Sequence, residues 1–196
     1  EGSHTTVVDL NTQFQQELKG QLSEEKARFS YAAFLKYNIG ILVLLLTGFL
    51  LEPYQRIVIK GWLQKNFSLT IASRSFGKSM LFSHFCYLYC LCNPNHHIIM
   101  VAPTFRSSRR VLENIEGWAK RKRGALLRQC IQKTKQGELM TKHQDMYKIT
   151  FANGSTITAL PLGDADNLRG FRCNVLGIDE GLLIPQTTIE LVLKPF

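Results

Sequence analysis

The sequence predicts an α/β fold in which a mainly parallel central sheet is flanked by helices. Three observations carry that prediction. Short runs rich in apolar and β-branched residues recur at 68–73, 97–102 and 173–178, and stretches of helical spacing separate them. Between the first run and the helix after it lies a small-residue loop, Ser73-Arg74-Ser75-Phe76-Gly77, closed by Lys78-Ser79. The last run ends on two adjacent carboxylates, Asp179-Glu180. Strands that alternate with helices imply parallel neighbours, with helices covering both faces of the sheet.

Taken in order, Glu1 to His4 are set aside as a tag remnant. Phe14, Leu18, Leu22, Phe29 and Phe34 then recur at loosely helical spacing among Gln, Glu and Lys. They predict an N-terminal helical appendage over residues 1–37, ahead of an α/β domain at 38–196. From Ile39 to Leu51 the chain is apolar and uncharged. That run is shorter than the roughly 17–25 residues a membrane-spanning helix needs, so it reads as a buried strand or core helix. Glu52-Pro53-Tyr54-Gln55 marks a turn, and a helix follows over 55–65.

Ser68 to Ser73 reads as a buried strand, Lys78 to about Cys92 as a helix, and His97 to Ala102 as a second buried strand. Thr104 is placed to cap a basic helix running to Lys122 or Arg123. Tyr147–Ala152 and Ser155–Leu160, joined by Asn153-Gly154, form a hairpin pattern in which Asn-Gly supplies the positive φ angles of a tight turn. Cys173–Ile178 is the last strand.

A hydrophobic content of 45% supplies a real core, and 20% charged residues excludes a disordered chain. The net charge of +9 points to an acidic partner, nucleic acid first. Between Arg106 and Arg128, the residues Arg109, Arg110, Lys120, Arg121, Lys122 and Arg123 face only Glu113 and Glu116. This stretch reads either as a DNA-backbone contact region or as plain surface. The five cysteines are odd in number and contain no CxxC, which argues against a disulfide framework and for a reducing compartment. His84, Cys86, Cys90, Cys92, His96 and His97 fit no standard zinc spacing and read better as the buried face of a helix.

The chemistry concentrates in two segments. Ala72-Ser73-Arg74-Ser75-Phe76-Gly77-Lys78-Ser79 follows a predicted strand and opens a predicted helix, the context of a phosphate-binding loop. There Gly77 permits the backbone turn, Lys78 reaches β and γ phosphates, Ser79 ligates magnesium, and the helix N-terminus adds partial positive charge. In the second segment, Asp179 is the carboxylate such a site needs for magnesium, and Glu180 is placed to orient or deprotonate an attacking water. Upstream, Gln55 is a candidate adenine reader with Tyr54 packed on the base, beside the plainer reading of a glutamine that begins a helix. Arg169, ahead of the last strand, could stabilise transferring phosphate charge from a neighbouring subunit or be a solvated loop arginine.

With these residues in place, the chain resembles the N-terminal ATPase domain of a tailed-phage terminase large subunit over about residues 38–196. The resemblance rests on Pro53-Tyr54-Gln55, on Ser73 to Ser79 as the family's variant Walker A, on Leu168-Arg169-Gly170-Phe171-Arg172, and on Ile178-Asp179-Glu180 as Walker B plus catalytic glutamate. That family tolerates loss of the first Walker A glycine, here Ala72, and carries an arginine where Arg74 stands. The resemblance implies an ASCE-type P-loop NTPase with a RecA-like sheet, ATP and Mg2+ as cofactors, and hydrolysis that drives double-stranded DNA into a procapsid. It implies a homo-oligomeric ring on the capsid in the host cytoplasm, with portal protein, small terminase subunit and DNA as partners and no membrane. Arg169 would be a trans-acting arginine finger and Arg74 a γ-phosphate contact. The coupling motif beyond Walker B is not evident, since Thr187-Thr188 comes too early, and no acidic nuclease domain is expected in this chain. Two rival readings are a superfamily-2-type helicase fragment, which shares Ala102-Pro103-Thr104, and a non-catalytic basic DNA-binding module with a degenerate P-loop.

Overall fold

A computed structural model of the chain describes residues 33–34, 37–73, 76–162 and 172–184. The chain divides into two compact units, Glu1–Leu42 and Val43–Phe196. Within the first, most of the expected appendage lies outside the described residues. The apolar run becomes helix α1 (Ile39–Thr47), which Thr47 closes by donating its hydroxyl to the Val43 carbonyl at 2.8 Å.

Pro53 opens α2 (Pro53–Gln64) at the position where a helix has no use for the missing N–H. Next comes α3 (Lys78–Cys92), whose mostly apolar sequence fits its burial among neighbouring elements. Trp62 of α2 meets Phe82 and Phe85 of α3 edge-on, at 5.6 and 5.9 Å between ring centroids. The strand β1 (His97–Ala102) leads into α4 (Phe105–Lys120), capped by Thr104 as expected, and then a 3-10 turn and α5 (Ala125–Cys130). The remaining strands are β2 (Thr141–His143), β3 (Met146–Thr150), β4 (Thr156–Pro161) and β5 (Val175–Ile178).

The sheet runs β2-β3-β4-β1-β5. Its core, β4-β1-β5, is parallel, and β3 and β2 extend it in antiparallel fashion. Tyr147, Ala159, Met100 and Gly177 are successive register partners, so they share one face. Phe105 of α4 packs on Tyr147 at 5.3 Å, and a Cβ on Gly177 would come within 2.6 Å of Phe82 in α3. Helices α3 and α4 therefore lie on that same face. On the other face Ile99, Val101 and Leu160 form a cluster closed by Leu162 and Ile184.

Two local expectations are corrected. Residues 68–73 carry the β-branched composition of a strand but pair with no described strand, and Leu69 and Ile71 are 76% and 82% exposed. Composition favours an extended backbone, whereas a strand exists only with a neighbour to share its ladder. The segment is instead tethered by the Trp62 indole, which donates to Thr70 Oγ1 at 2.9 Å. In the hairpin only Gly154 takes a positive φ, 83°, and Asn153 does not. Gly154 N–H donates to the Phe151 carbonyl and Phe151 N–H to that of Ser155, so the turn is a longer one ending in a glycine bulge. Asn153 is used as a tether, donating its amide to the Cys90 carbonyl at 2.8 Å.

The cysteines of α3 serve packing: Cys86 Sγ lies 3.7 Å from Met100 Sδ and Cys90 Sγ 3.8 Å from the Thr156 carbonyl. His84 is fully buried, stacked on Trp118 at 4.2 Å and within 3.0 Å of the Tyr87 hydroxyl. Burial pushes its imidazole down to about 3, so it is neutral in the fold. The unfolded chain binds a proton near the ordinary value of about 6.5, so this stability is full above that pH and drains away towards 3. Between pH 7.5 and pH 5 the parent should lose about 2 kcal/mol from this group alone. A His84→Phe variant should lack that share, which urea unfolding at the two pH values will read directly. An equal loss in parent and variant would contradict it.

Candidate functional site

The loop between α2 and α3 and the end of β5 converge. Gly77 sits at φ 79° and ψ 29°, the left-handed conformation that glycine adopts without strain, and so turns the chain into the N-terminus of α3. Lys78 then lies back over the loop, donating to the carbonyls of Ala72 at 2.7 Å and Ser73 at 2.9 Å. Ser79, on the next position of α3, donates its hydroxyl to Asp179 Oδ2 at 3.2 Å across a sequence separation of 100. Gly177 makes this approach possible: a side chain there would meet Met100 and Phe82, which would push α3 away from β5.

Glu180 follows Asp179 in the left-handed region, at φ 55° and ψ 36°. For a residue with a Cβ this conformation costs about 1–2 kcal/mol. The Glu180 N–H donates to Asp179 Oδ1 at 3.0 Å, which fixes the bend, and the Glu180 carboxylate remains exposed. Its Oε2 accepts from the Ser107 hydroxyl at 3.3 Å, and Ser107 is in turn 3.0 Å from Thr104 Oγ1. Ser107 is a site residue that sequence reasoning misses. Its only signal there is its place in the first turn of a helix that follows a buried strand.

Tyr54 and Phe76 bring their rings to 5.2 Å, so the loop touches the start of α2. Gln55 is buried, and its Oε1 accepts from the Glu52 N–H at 2.9 Å while its Nε2 reaches the Tyr54 hydroxyl at 3.3 Å. Its acceptor thus closes the start of α2, the plainer of the two roles the sequence offers it. Ser73, Phe76, Gly77, Lys78, Ser79, Asp179 and Glu180 fall in one region, whereas Arg74, Ser75 and Arg169 lie outside the described residues.

The basic stretch of α4 is partly consumed by the fold. Arg109 pairs with Glu113 at 3.2 Å and lies 5.8 and 5.6 Å from the Phe105 and Tyr147 rings. Lys120 pairs with Glu116 at 2.9 Å, and Arg128 donates to the Ala119 carbonyl at 3.3 Å. Burial raises the Glu116 carboxyl, but hydrogen bonds from Lys120 and Lys142 outweigh it and hold the group below its usual range.

If the site turns over a nucleotide and Ser107 aims Glu180 within it, loss of the serine should be visible in turnover and not in nucleotide affinity. A hydrogen bond to an exposed carboxylate is worth about 1 kcal/mol, so Ser107→Ala should lower kcat roughly fivefold at unchanged KM. Ser107→Thr, which keeps the hydroxyl, should recover most of that. A kcat equal to the parent's in Ser107→Ala would remove the serine from the site.

A family model described as "Terminase large subunit, T4likevirus-type, N-terminal" matches residues 69–194. Among solved structures, the large terminase ATPase domain of Thermus phage P74-26 is similar, with a TM-score of 0.56 at 17% identity, over 78% of this chain and 62% of that one. A point variant of the same domain gives 0.53 at 16%, with the same coverage. The large terminase of a second thermophilic bacteriophage, in complex with ADP, gives 0.48 at 15%, over 71% of this chain and 34% of that one. This chain thus spans 62% of the length of the Thermus-phage domains, and the likeness shows a shared fold. No curated protein matches the sequence.

Proposed function

The chain belongs to the T4likevirus-type terminase large-subunit N-terminal family, and from that membership we propose that it hydrolyses ATP to translocate double-stranded viral DNA into a procapsid. The observation that supports this best is the meeting of Ser79 and Asp179 at 3.2 Å beside Lys78. A hydroxyl and a carboxylate at the mouth of a phosphate-binding turn form a hard-oxygen pair suited to magnesium. The left-handed Gly77 and the N-terminus of α3 suit phosphate oxygens.

On this reading Lys78 exchanges the loop carbonyls for the β and γ phosphates, and Tyr54 and Gln55 border the base. Ser79 and Asp179 hold Mg2+, which neutralises phosphate charge when bound. Glu180, aimed by Ser107, orients the attacking water and takes its proton. By resemblance to the family, Arg74 contacts the γ-phosphate and Arg169 serves a neighbouring subunit's site. A homo-oligomeric ring on the portal, a small terminase subunit as partner and a place in the host cytoplasm belong to the same proposal.

The deciding experiment is ATP turnover by the purified chain against protein concentration, with and without double-stranded DNA. A rate per subunit that climbs with concentration is the expected result. Nucleotide binding with flat turnover would count against a trans arginine. An absence of any nucleotide binding would overturn the enzyme reading in favour of a non-catalytic basic module.

A further inference from the structure

At the edge of the sheet away from the nucleotide site, the segment after α5 folds against β2 and β3 and forms with them an open surface cavity of about 360 Å³. Lys133 and Lys135 line it from the loop and Lys148 from β3, together with Thr141 and Thr150. The loop is pinned at both ends of its turn. Gln132 N–H donates to the Thr150 carbonyl at 2.8 Å, Thr134 N–H to that of Glu138 at 2.8 Å, and Glu138 N–H to Thr134 Oγ1 at 3.1 Å. Lys148 and Thr150 are two apart on β3, so both point to the face opposite Tyr147 and α4.

The charge around this cavity is one-sided. Glu116, on the α4 side of the sheet, is already shared by Lys120 and Lys142, at 2.9 and 3.0 Å. Lys133, Lys135 and Lys148 make no ion pair among the described residues. Three ammonium groups and two threonine hydroxyls therefore line one concavity, and no described carboxylate forms an ion pair with them. Compact ammonium charges with hydroxyl donors suit phosphate oxygens, and the lining holds no aromatic ring on which a base could stack.

We propose that this cavity is a second phosphate site, distinct from the nucleotide site, that holds a backbone phosphate of double-stranded DNA without reading sequence. For its partner it rests on the DNA-translocating reading above. Its place supports the separation. β3 lies three strands from β5, about 14 Å at ordinary strand spacing. Thr150 pairs with the first residue of β4, at the opposite end of the parallel strands from Asp179. A phosphate bound here lies well away from the hydrolytic carboxylates. Among the described basic residues, Arg109, Lys120 and Arg128 are engaged within the fold, whereas these three lysines make no ion pair and share one concavity.

The test is fluorescence anisotropy of the full chain with a random-sequence DNA duplex, read across a salt series. Lys133→Gln with Lys135→Gln removes two exposed charges from the loop, and Lys60→Gln with Lys65→Gln removes two from α2 and its end as a control. The loop variant should bind about tenfold or more weakly near 0.1 M salt, and its log K against log salt slope should shrink by about 2. Binding equal to the parent's, or an equal loss in the control, would overturn the site. Titration with inorganic phosphate in a Lys78→Ala background separates the ligands. Submillimolar phosphate binding that the loop variant loses, with duplex affinity intact, would assign the cavity to a free anion and overturn the backbone reading. Binding of a fluorescent ATP analogue, measured on the parent and on the loop and control variants with Lys78 in place, should be unchanged. Its absence in the parent would sink the ATPase reading while leaving the duplex result to decide the cavity.

Discussion

Glu180→Gln should bind ATP as tightly as the parent and turn it over about a thousandfold more slowly. The substitution keeps the shape and the hydrogen bond from Ser107, 3.3 Å away, and removes only the charge and the basicity. Among the described residues nothing ties the Glu180 carboxylate to the turn before α3, since Lys78 and Ser79 contact Ala72, Ser73 and Asp179. Binding and chemistry are therefore carried by different atoms. A general base supplies about a hundred- to ten-thousandfold in rate, so the middle of that range corresponds to roughly 4 kcal/mol of barrier. Phosphate release at saturating ATP, together with the Kd of a fluorescent analogue, separates the two effects. Turnover at the parent rate would show that Glu180 is not the base. A lost affinity with an intact rate would place it in the binding site instead.

Lys78→Ala gives the complementary result, a loss of nucleotide affinity with the fold intact. Its ammonium is half-buried and holds two loop carbonyls, at 2.7 and 2.9 Å, so it is already poised over the turn that would cradle phosphate. A hydrogen bond to a charged partner is worth about 1.5–3 kcal/mol, so Kd should rise by roughly ten- to a hundredfold and turnover should disappear with it. Thermal unfolding should move little, because no buried group loses its only partner. Duplex binding through the distant lysine cavity should be unaffected. If the parent has no nucleotide affinity for Lys78→Ala to remove, the chain is a binding module with a degenerate loop.

Helix α3, strands β1 and β5, the Thr104 cap and the placement of Lys78, Ser79, Asp179 and Glu180 are all legible in the sequence. Each depends on local chemistry: glycine at a left-handed turn, a hydroxyl ahead of a helix, an apolar run that ends in carboxylates. The antiparallel pairing of β3 with β4 is legible too, although the turn between them is longer than Asn-Gly suggests. One glycine in the left-handed conformation suffices for a bulged turn, and Asn153 is diverted to the Cys90 carbonyl.

The sequence alone determined which residues are candidates for phosphate chemistry and in what order they lie along the chain. Tertiary structure decided what those residues meet. It brought Ser79 to Asp179 across a separation of 100 and Ser107 to Glu180 across 73. It left residues 68–73 without a ladder among the described strands and turned the Gln55 acceptor to its own helix start. It also engaged Arg109 and Lys120 of α4 in ion pairs while leaving three lysines around a cavity without an ion pair among the described residues. The physical reason is the range of the forces involved. Backbone conformation and capping are set within a few residues, whereas a ladder partner, a countercharge or a wall of a cavity comes from wherever the chain folds back.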